Sequence, residues 1–533
     1  MILDARRSPA RCTPDRRSTA LRTPVVVLVA GALLVLAGCT TPAKEQAPVV
    51  GSTTGPAAEQ APEGFEAYYG QTLEWTECED GLQCATASAP LSWQDAEAGT
   101  IELNLVRNTA NAQDPSARIG SLLVNPGGPG ASGAEFVRSD AASDGALFGE
   151  RLQDAFDIVG FDPRGVQDST AVECLDDKGK DEFLTQSFGT TDDELAAKAD
   201  AYREWGEACA KNTGDLLGHV DTQSAARDID MLRAVLGDDT LNYLGYSYGT
   251  QLGATYAGLF PERAGRLVLD GAIDTTLSAD DISKGQAVGF ENALRAFVED
   301  CQAGTECPLV GTVDDGMRQV RAVLDEAYER PYPTTGSDRE VTQNLAFYGV
   351  ARTLYSQGDW SFLAQALTEV IDDGTGDLLL TAADSYNDRN LDGTFSTNSS
   401  EAFSSIGCLD DRGTSNLDQM REEAAAIEEA APTMGTFFAY GGLTCAEWPY
   451  PEVEQEFDLQ AKGAPPIVVI GTTNDPATPY VWAEGLADTL DSGVLVTYEG
   501  EGHTAYSPSR SCVADVVESY LVDGKVPDDG VTC

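Results

Sequence analysis

Leu241-Asn242-Tyr243-Leu244-Gly245-Tyr246-Ser247-Tyr248-Gly249-Thr250 is the stretch that decides how this chain folds. A short apolar run enters Gly-x-Ser-x-Gly, and the small residues from Gln251 to Phe260 can begin a helix at once. A strand-to-helix turn this tight needs glycine on both sides of its central residue, because side chains there would strike the neighbouring strand and helix. The Ser247 hydroxyl is then held out alone as a nucleophile, and the Tyr248 N–H at the helix start faces a developing oxyanion.

Upstream, Ile119 to Val124 reads as a buried strand that breaks into Asn125-Pro126-Gly127-Gly128-Pro129-Gly130-Ala131-Ser132-Gly133. Such a loop brings bare N–H groups to a substrate carbonyl; Gly128 is the expected second oxyanion donor, with Gly127 next in line. No Gly-Lys-Ser/Thr follows, which speaks against a phosphate loop. Thr100 to Asn108 alternates as a half-buried strand at a sheet edge. Phe156 to Phe161 and Arg266 to Gly271 are buried strand runs, and Asp162 and Arg164 read as a structural ion pair beneath the site. Val166 to His219 holds a helical stretch, Asp192 to Lys211, and Thr222 caps a helix over Ser224 to Leu236.

From about Asp274 to Gly463 helical patterns dominate, over Gly285 to Cys301, Asp315 to Tyr328, Gln343 to Tyr355, Phe362 to Ile371 and Leu417 to Ala431. Strands return at Pro466 to Gly471, whose loop carries Asp475, and at Val494 to Tyr498, followed by Gly500-Glu501-Gly502-His503. Ser247, Asp475 and His503 thus each follow a strand, in the order nucleophile, acid, histidine that an α/β-hydrolase requires. The other histidine, His219, reads as a loop residue, and Asp270 and Asp274 are the rival acids. The expected class is α/β: an α/β-hydrolase fold with a mostly parallel central sheet and a large helical cap insertion. Its core spans 65–273 and 464–533, and the cap 274–463.

A chain of 533 residues, 42% hydrophobic, suffices for such a core plus an insertion. Its 87 acidic against 34 basic residues give a formal charge of −53, which repels nucleic acid and anionic lipid headgroups and favours cationic ligands such as a free peptide N-terminus. The arginine-rich lead and the apolar Val25 to Leu36 read as an export signal over 1–38. Leu36-Ala37-Gly38-Cys39 looks like a bacterial lipobox, with cleavage before a lipid-bearing Cys39 and a flexible tether over 39–64. The protein is thus expected outside the cell, held to the membrane by that lipid alone. Of twelve cysteines, Cys12 and Cys39 fall outside the expected folded part. The others read as disulfides paired in sequence order: Cys78 with Cys84, Cys174 with Cys209, Cys301 with Cys307, Cys408 with Cys445, and Cys512 with Cys533. Without a CxxC pair, and with only two histidines, neither a metal nor a cofactor is expected.

The Asn-Pro-Gly-Gly-Pro-Gly loop, Asp-Pro-Arg-Gly, Gly-Tyr-Ser-Tyr-Gly-Thr, Leu-Val-Leu-Asp-Gly, Asn-Asp-Pro-Ala-Thr-Pro, Gly-Glu-Gly-His and the C-terminal cysteines resemble the secreted tripeptidyl aminopeptidase family of α/β-hydrolase serine peptidases, relatives of proline iminopeptidases with a TAP-like C-terminal region. The resemblance runs from about Phe65 to Cys533, thinly within the cap. It implies the same three catalytic residues, cleavage of short peptides from a free N-terminus, and cap carboxylates holding the substrate ammonium group, without singling any out. Proline iminopeptidases usually open the glycine loop with His; Asn125 stands there instead, which points to the tripeptidyl branch. Two other readings are an esterase or lipase on the same scaffold and a non-catalytic, lipid-anchored binding protein.

Overall fold

The computed structural model describes residues 49–54, 61–111, 117–143 and 145–533; the expected leader, Cys39 and most of the expected tether lie outside them. Its strands, in chain order, are β1 (Val49–Thr54), β2 (Thr72–Glu77), β3 (Gln83–Pro90), β4 (Thr100–Asn108), β5 (Gly120–Asn125), β6 (Phe156–Phe161), β7 (Leu241–Tyr246), β8 (Ala264–Asp270), β9 (Tyr332–Pro333), β10 (Glu340–Val341), β11 (Ile467–Asn474), β12 (Gly493–Glu501) and β13 (Val531–Thr532). All but the β9–β10 ribbon form one sheet in the order β1-β2-β3-β4-β6-β5-β7-β8-β11-β12-β13. Pairing is antiparallel from β1 through β4 to β6 and parallel from β6 onward.

The central strands β5, β6 and β7 are buried at every position, as a sheet covered on both faces demands. Their side chains divide with period two. Leu241 and Tyr243 of β7, with Ile467 and Val469 of β11, join Ala225, Leu252 and Leu486 on one face; Leu244, Tyr246, Val468 and Ile470 join Val137, Leu152 and Val517 on the other. Because β5 lies between β6 and β7, the chain leaves β5 first to one side and later to the other, which opens a crevice at the carboxyl ends of the strands.

Several sequence expectations change here. The 39–64 stretch is not wholly a tether, since β1 pairs with β2 and Thr53 Oγ1 accepts the Trp75 indole N–H at 3.2 Å. β4 is interior, because β1 to β3 extend the sheet past it; its polar alternation reflects contacts to a loop, Asn104 Nδ2 donating to Asp162 Oδ2 at 2.9 Å. Beyond the expected strand at Val494 to Tyr498, seen as β12, a further strand, β13, is laid beside it. Helix Thr222–Leu236 is capped by Asp221, whose Oδ1 accepts Ser224 N–H at 2.9 Å, which frees the Thr222 hydroxyl for other partners.

Asp162 and Arg164 do not pair with each other. Asp162 accepts the hydroxyl of Ser132, the N-cap of the helix after the glycine loop, at 2.5 Å. Arg164 instead grips Asp228 with Nε and Nη2, both at 2.7 Å, while its remaining N–H groups reach the carbonyls of Pro90, Leu91 and His219. Both side chains of that ion pair are 0% exposed.

Between β8 and β11 the insertion runs through helices Ala279–Ala303, Val313–Glu329, Gln343–Leu354, Trp360–Thr368, Asp377–Tyr386, Ser399–Asp410 and Leu417–Ala430. It buries its own apolar cluster around Phe290, Leu294, Phe297, Val320, Leu345, Val350, Leu363 and Leu379. Its roof has a second contributor in helices Asp177–Thr185 and Asp192–Thr213: the buried Lys180 donates to Glu401 Oε2 at 2.7 Å, and Arg389 Nε to Asp181 Oδ1 at 2.7 Å. Disulfides join Cys78 to Cys84, Cys174 to Cys209, Cys301 to Cys307, Cys408 to Cys445 and Cys512 to Cys533.

Removing one partner of a fully buried, bidentate ion pair strands the other charge without water. Arg164→Met is therefore expected to lower the unfolding free energy by about 3–5 kcal/mol, read from denaturant unfolding with the disulfides intact; a loss under about 1 kcal/mol, the range of an exposed pair, would contradict this account.

Candidate active site

Ser247 sits at φ 55°, ψ −125°, between β7 and helix Tyr248–Leu259. A non-glycine residue there is strained, and the surroundings hold it in place. Its N–H donates to Asp270 O at 2.9 Å, and its carbonyl accepts Thr250 N–H at 2.8 Å and the Thr250 hydroxyl at 2.6 Å. The flanking glycines are required by space: a Cβ at Gly245 would stand 2.4 Å from Gly249 O, and one at Gly249 would stand 2.7 Å from Asn125 O.

The glycine loop packs directly on this turn, with the Cβ position of Gly127 only 2.9 Å from Ser247 Cβ and 3.1 Å from Tyr248 N. Asn125 Oδ1 takes the Gly127 N–H at 2.9 Å. Gly128 N–H and Tyr248 N–H, the expected oxyanion donors, have no acceptor among the described residues.

Asp475 follows β11 and His503 follows β12. His503 Nδ1 lies 2.9 Å from Asp475 Oδ1 and 3.0 Å from Oδ2. The same carboxylate accepts the N–H groups of Ala477 and Thr478, each at 2.9 Å, and of Thr504 at 3.0 Å. Facing an ionised acceptor, Nδ1 carries the proton, so neutral His503 presents Nε2 as its basic nitrogen. Neither Nε2 nor Ser247 Oγ has a hydrogen-bond partner among the described residues. Burial alone would pull the imidazole pKa down, but the charge and hydrogen bond of Asp475, with the charge of Asp270 behind it, outweigh that and hold it above the ordinary 6.5.

Of the rival acids, Asp270 ties the two halves of the site together. Its carbonyl takes Ser247 N–H, and its fully buried carboxylate accepts Ala505 N–H at 2.9 and 3.0 Å and Tyr506 N–H at 2.6 Å. Burial pushes this carboxyl up to about 6 despite those bonds. Asp274 instead turns on itself, accepting Thr276 N–H at 2.9 Å. His219 sits in a loop whose carbonyl serves Arg164.

Two neighbours of His503 were not legible beforehand. Thr478 Oγ1 stands 3.4 Å from Nδ1, and its spacing three residues after Asp475, in a turn closed by that carboxylate, was the available signal. Tyr355, at the end of an insertion helix, accepts His503 N–H at 2.9 Å and sets its ring edge-on to the imidazole at 5.3 Å. Nothing local in sequence announces that contact.

A family model described as TAP-like protein matches residues 431–533. Serine protease Hip1 of Mycobacterium tuberculosis is 34% identical over 485 residues, 87% of this chain and 91% of that protein. Carboxylesterase B of the same species is 33% identical over 505 residues, 91% and 94% of the two chains. Tripeptidyl aminopeptidase of Streptomyces coelicolor is 30% identical over 484 residues, 86% of each. The chain belongs to the tripeptidyl aminopeptidase family of α/β-hydrolase serine peptidases. It is a serine hydrolase with the mostly parallel sheet of that fold.

The chain's two histidines are expected to titrate on opposite sides of the free value. His503 is held above 6.5, while burial and then the Arg164 charge hold His219 below it. Imidazole resonances followed by NMR check this, and Asp475→Asn should move only the higher midpoint downward. A His503 midpoint below that of His219 would contradict the assigned electrostatics.

Proposed function

We propose that this protein is an exported serine exopeptidase that removes short peptides from free N-termini, using Ser247, His503 and Asp475. Ser247 Oγ attacks the scissile carbonyl carbon as its proton passes to His503 Nε2, and Asp475 stabilises the resulting imidazolium. The developing oxyanion is received by the N–H groups of Gly128 and Tyr248. His503 returns the proton to the leaving amine, and a water, deprotonated by the same nitrogen, releases the acyl group from Ser247. The observation that carries this reading is a serine held at φ 55° whose N–H is tied to Asp270, the same residue whose carboxylate holds the loop just beyond the Asp475-paired His503.

Restriction to chain ends is supported by the insertion, which touches all three site loops. A Cβ at Gly130 would meet Ser399 O at 2.8 Å, Gly289 is pressed against Pro476 O, and Tyr355 holds the His503 loop. A roof seated on the oxyanion, acid and histidine loops together is in keeping with a site that takes a short chain end. The formal charge of −53 favours a substrate with a cationic terminus, in keeping with the relative named tripeptidyl aminopeptidase. The relative named Carboxylesterase B supports a second reading, ester hydrolysis on the same serine.

Ser247→Ala is expected to reduce turnover by on the order of 10⁴-fold or more without loss of fold. A tripeptidyl anilide with a free amine should be cleaved and its N-acetylated twin should not; equal cleavage of both would end the exopeptidase reading. Turnover of p-nitrophenyl esters with none of anilides would select the esterase.

Export as a lipoprotein is part of the proposal and is supported by the five disulfides. Cys39→Ala should shift the protein from the detergent phase to the aqueous phase in Triton X-114 partition. An unchanged distribution would exclude lipid attachment at Cys39.

A further inference from the structure

Helix Ser399–Asp410 of the insertion reaches both elements that carry the proposed oxyanion donors. At its first turn it presses on the glycine loop, where a Cβ at Gly130 would stand 2.9 Å from Ala402 Cβ and 3.3 Å from Phe403 N. At its last residue it meets the nucleophile turn through a chain of hydrogen bonds. Thr222 N–H donates to Asp410 Oδ1 at 2.8 Å and the Thr222 hydroxyl to Asp410 Oδ2 at 2.5 Å. Burial pushes the Asp410 carboxyl up to about 7; when it is ionised it takes the Thr222 hydroxyl proton, and the 2.6 Å contact between Thr222 Oγ1 and Tyr248 OH then has the phenol as donor. In that state the bonds run one way, from Tyr248 OH to Thr222 Oγ1 to Asp410. Thr222 is 3% and Tyr248 4% exposed, so water is a poor substitute at either group.

The peptide plane between Ser247 and Tyr248 carries the Tyr248 N–H. Thr250 fixes its carbonyl end, as described above. Its other end is the Tyr248 Cα, and the position of that atom depends on where the ring is anchored. We propose that Asp410, acting through Thr222, is a positioning residue for catalysis: it anchors the Tyr248 ring and so aims the Tyr248 N–H at the oxyanion, making this cap helix the fixed back wall of the oxyanion hole. The inference rests on the reading of Tyr248 N–H as an oxyanion donor. It assigns a cap residue a part in rate, beyond covering the site.

A donor aimed slightly off the oxyanion weakens the transition state and hardly affects the bound substrate. Thr222→Val, Asp410→Asn and Tyr248→Phe, each compared with wild type on the same tripeptidyl anilide, should lower kcat on the order of tenfold with KM within about twofold. Affinity for a peptide aldehyde, which forms a tetrahedral adduct on the serine, should fall by the same factor as kcat/KM. Thr222→Ser, which keeps the hydroxyl, should restore kcat, and Thr222→Val combined with Asp410→Asn should be no slower than the worse single variant. Wild-type kcat and aldehyde affinity in Tyr248→Phe and Thr222→Val would overturn the proposal. So would a loss of kcat that Thr222→Ser fails to restore, or one that appears equally in KM. The underlying reading fails separately: Ser247→Ala with wild-type turnover would discard the nucleophile and its oxyanion hole, whatever these variants do.

Discussion

A single buried carboxylate, Asp270, is the constraint on which the site depends. Through its carbonyl it fixes the N–H of Ser247, and through its side chain it fixes the two residues just beyond His503. A serine at positive φ costs of order 1–3 kcal/mol, and it is met by the bond to the Asp270 carbonyl and by the Thr250 bonds to the Ser247 carbonyl, each contributing roughly 0.5–1.5 kcal/mol. The Asp270 carboxylate meanwhile holds the other loop at Ala505 and Tyr506. The two loops come from β7 and β12, with β8 and β11 between them, and Asp270 bridges that gap directly. The proposed nucleophile and the loop of the proposed base are tied together through the residue that closes β8.

Much of this was legible in the chain itself. The elbow glycines, the apolar runs of β5 to β8 and β11, and the loops carrying Asp475 and His503 are local signals, set by steric exclusion and by burial on both faces. What stayed hidden was tertiary. Asp162 and Arg164 sit two residues apart and carry opposite charge, yet each finds its partner on another element, Ser132 and Asp228. Helix Ser399–Asp410 is rich in serine and carries a glycine, a poor prior for a helix; it forms because Ala402, Ile406 and Leu409 pack into the core of the sheet. Helix Asp377–Tyr386 is short and follows Gly374-Thr375-Gly376, so its apolar face offered too few turns to read. Asp270 was legible as an acid beside the site, but its work as an anchor could not be read, since its partners lie 235 and 236 residues away.

The insertion is bound to the core at the loops that carry the proposed catalytic groups. Helix Ala279–Ala303 lies on the acid loop, where Gln286 Nε2 donates to Ala477 O at 3.1 Å, Tyr355 on the histidine loop, and Ser399–Asp410 on the glycine loop. Lys180 and Glu401 add a desolvated ion pair between that last helix and the excursion after β6, with the Lys180 ammonium also 4.4 Å from the Phe395 ring. Any shift of the roof is thereby felt at the reacting groups, which couples the fit of a substrate under the cap to the geometry below it.

The short strand β13 bears on a different property. A wide sheet ends in a row of bare N–H and C=O groups, which invites pairing with another chain. Here that row is filled over two residues by the chain's own tail, with Cys533 N–H donating to Thr497 O at 2.7 Å and the Cys512–Cys533 bond fastening it. Exposed Asp528 and Asp529 precede it, and Asp529 takes the Leu495 N–H at 3.0 Å. The border this leaves is brief, acidic and covalently pinned, a poor template for strand-by-strand aggregation.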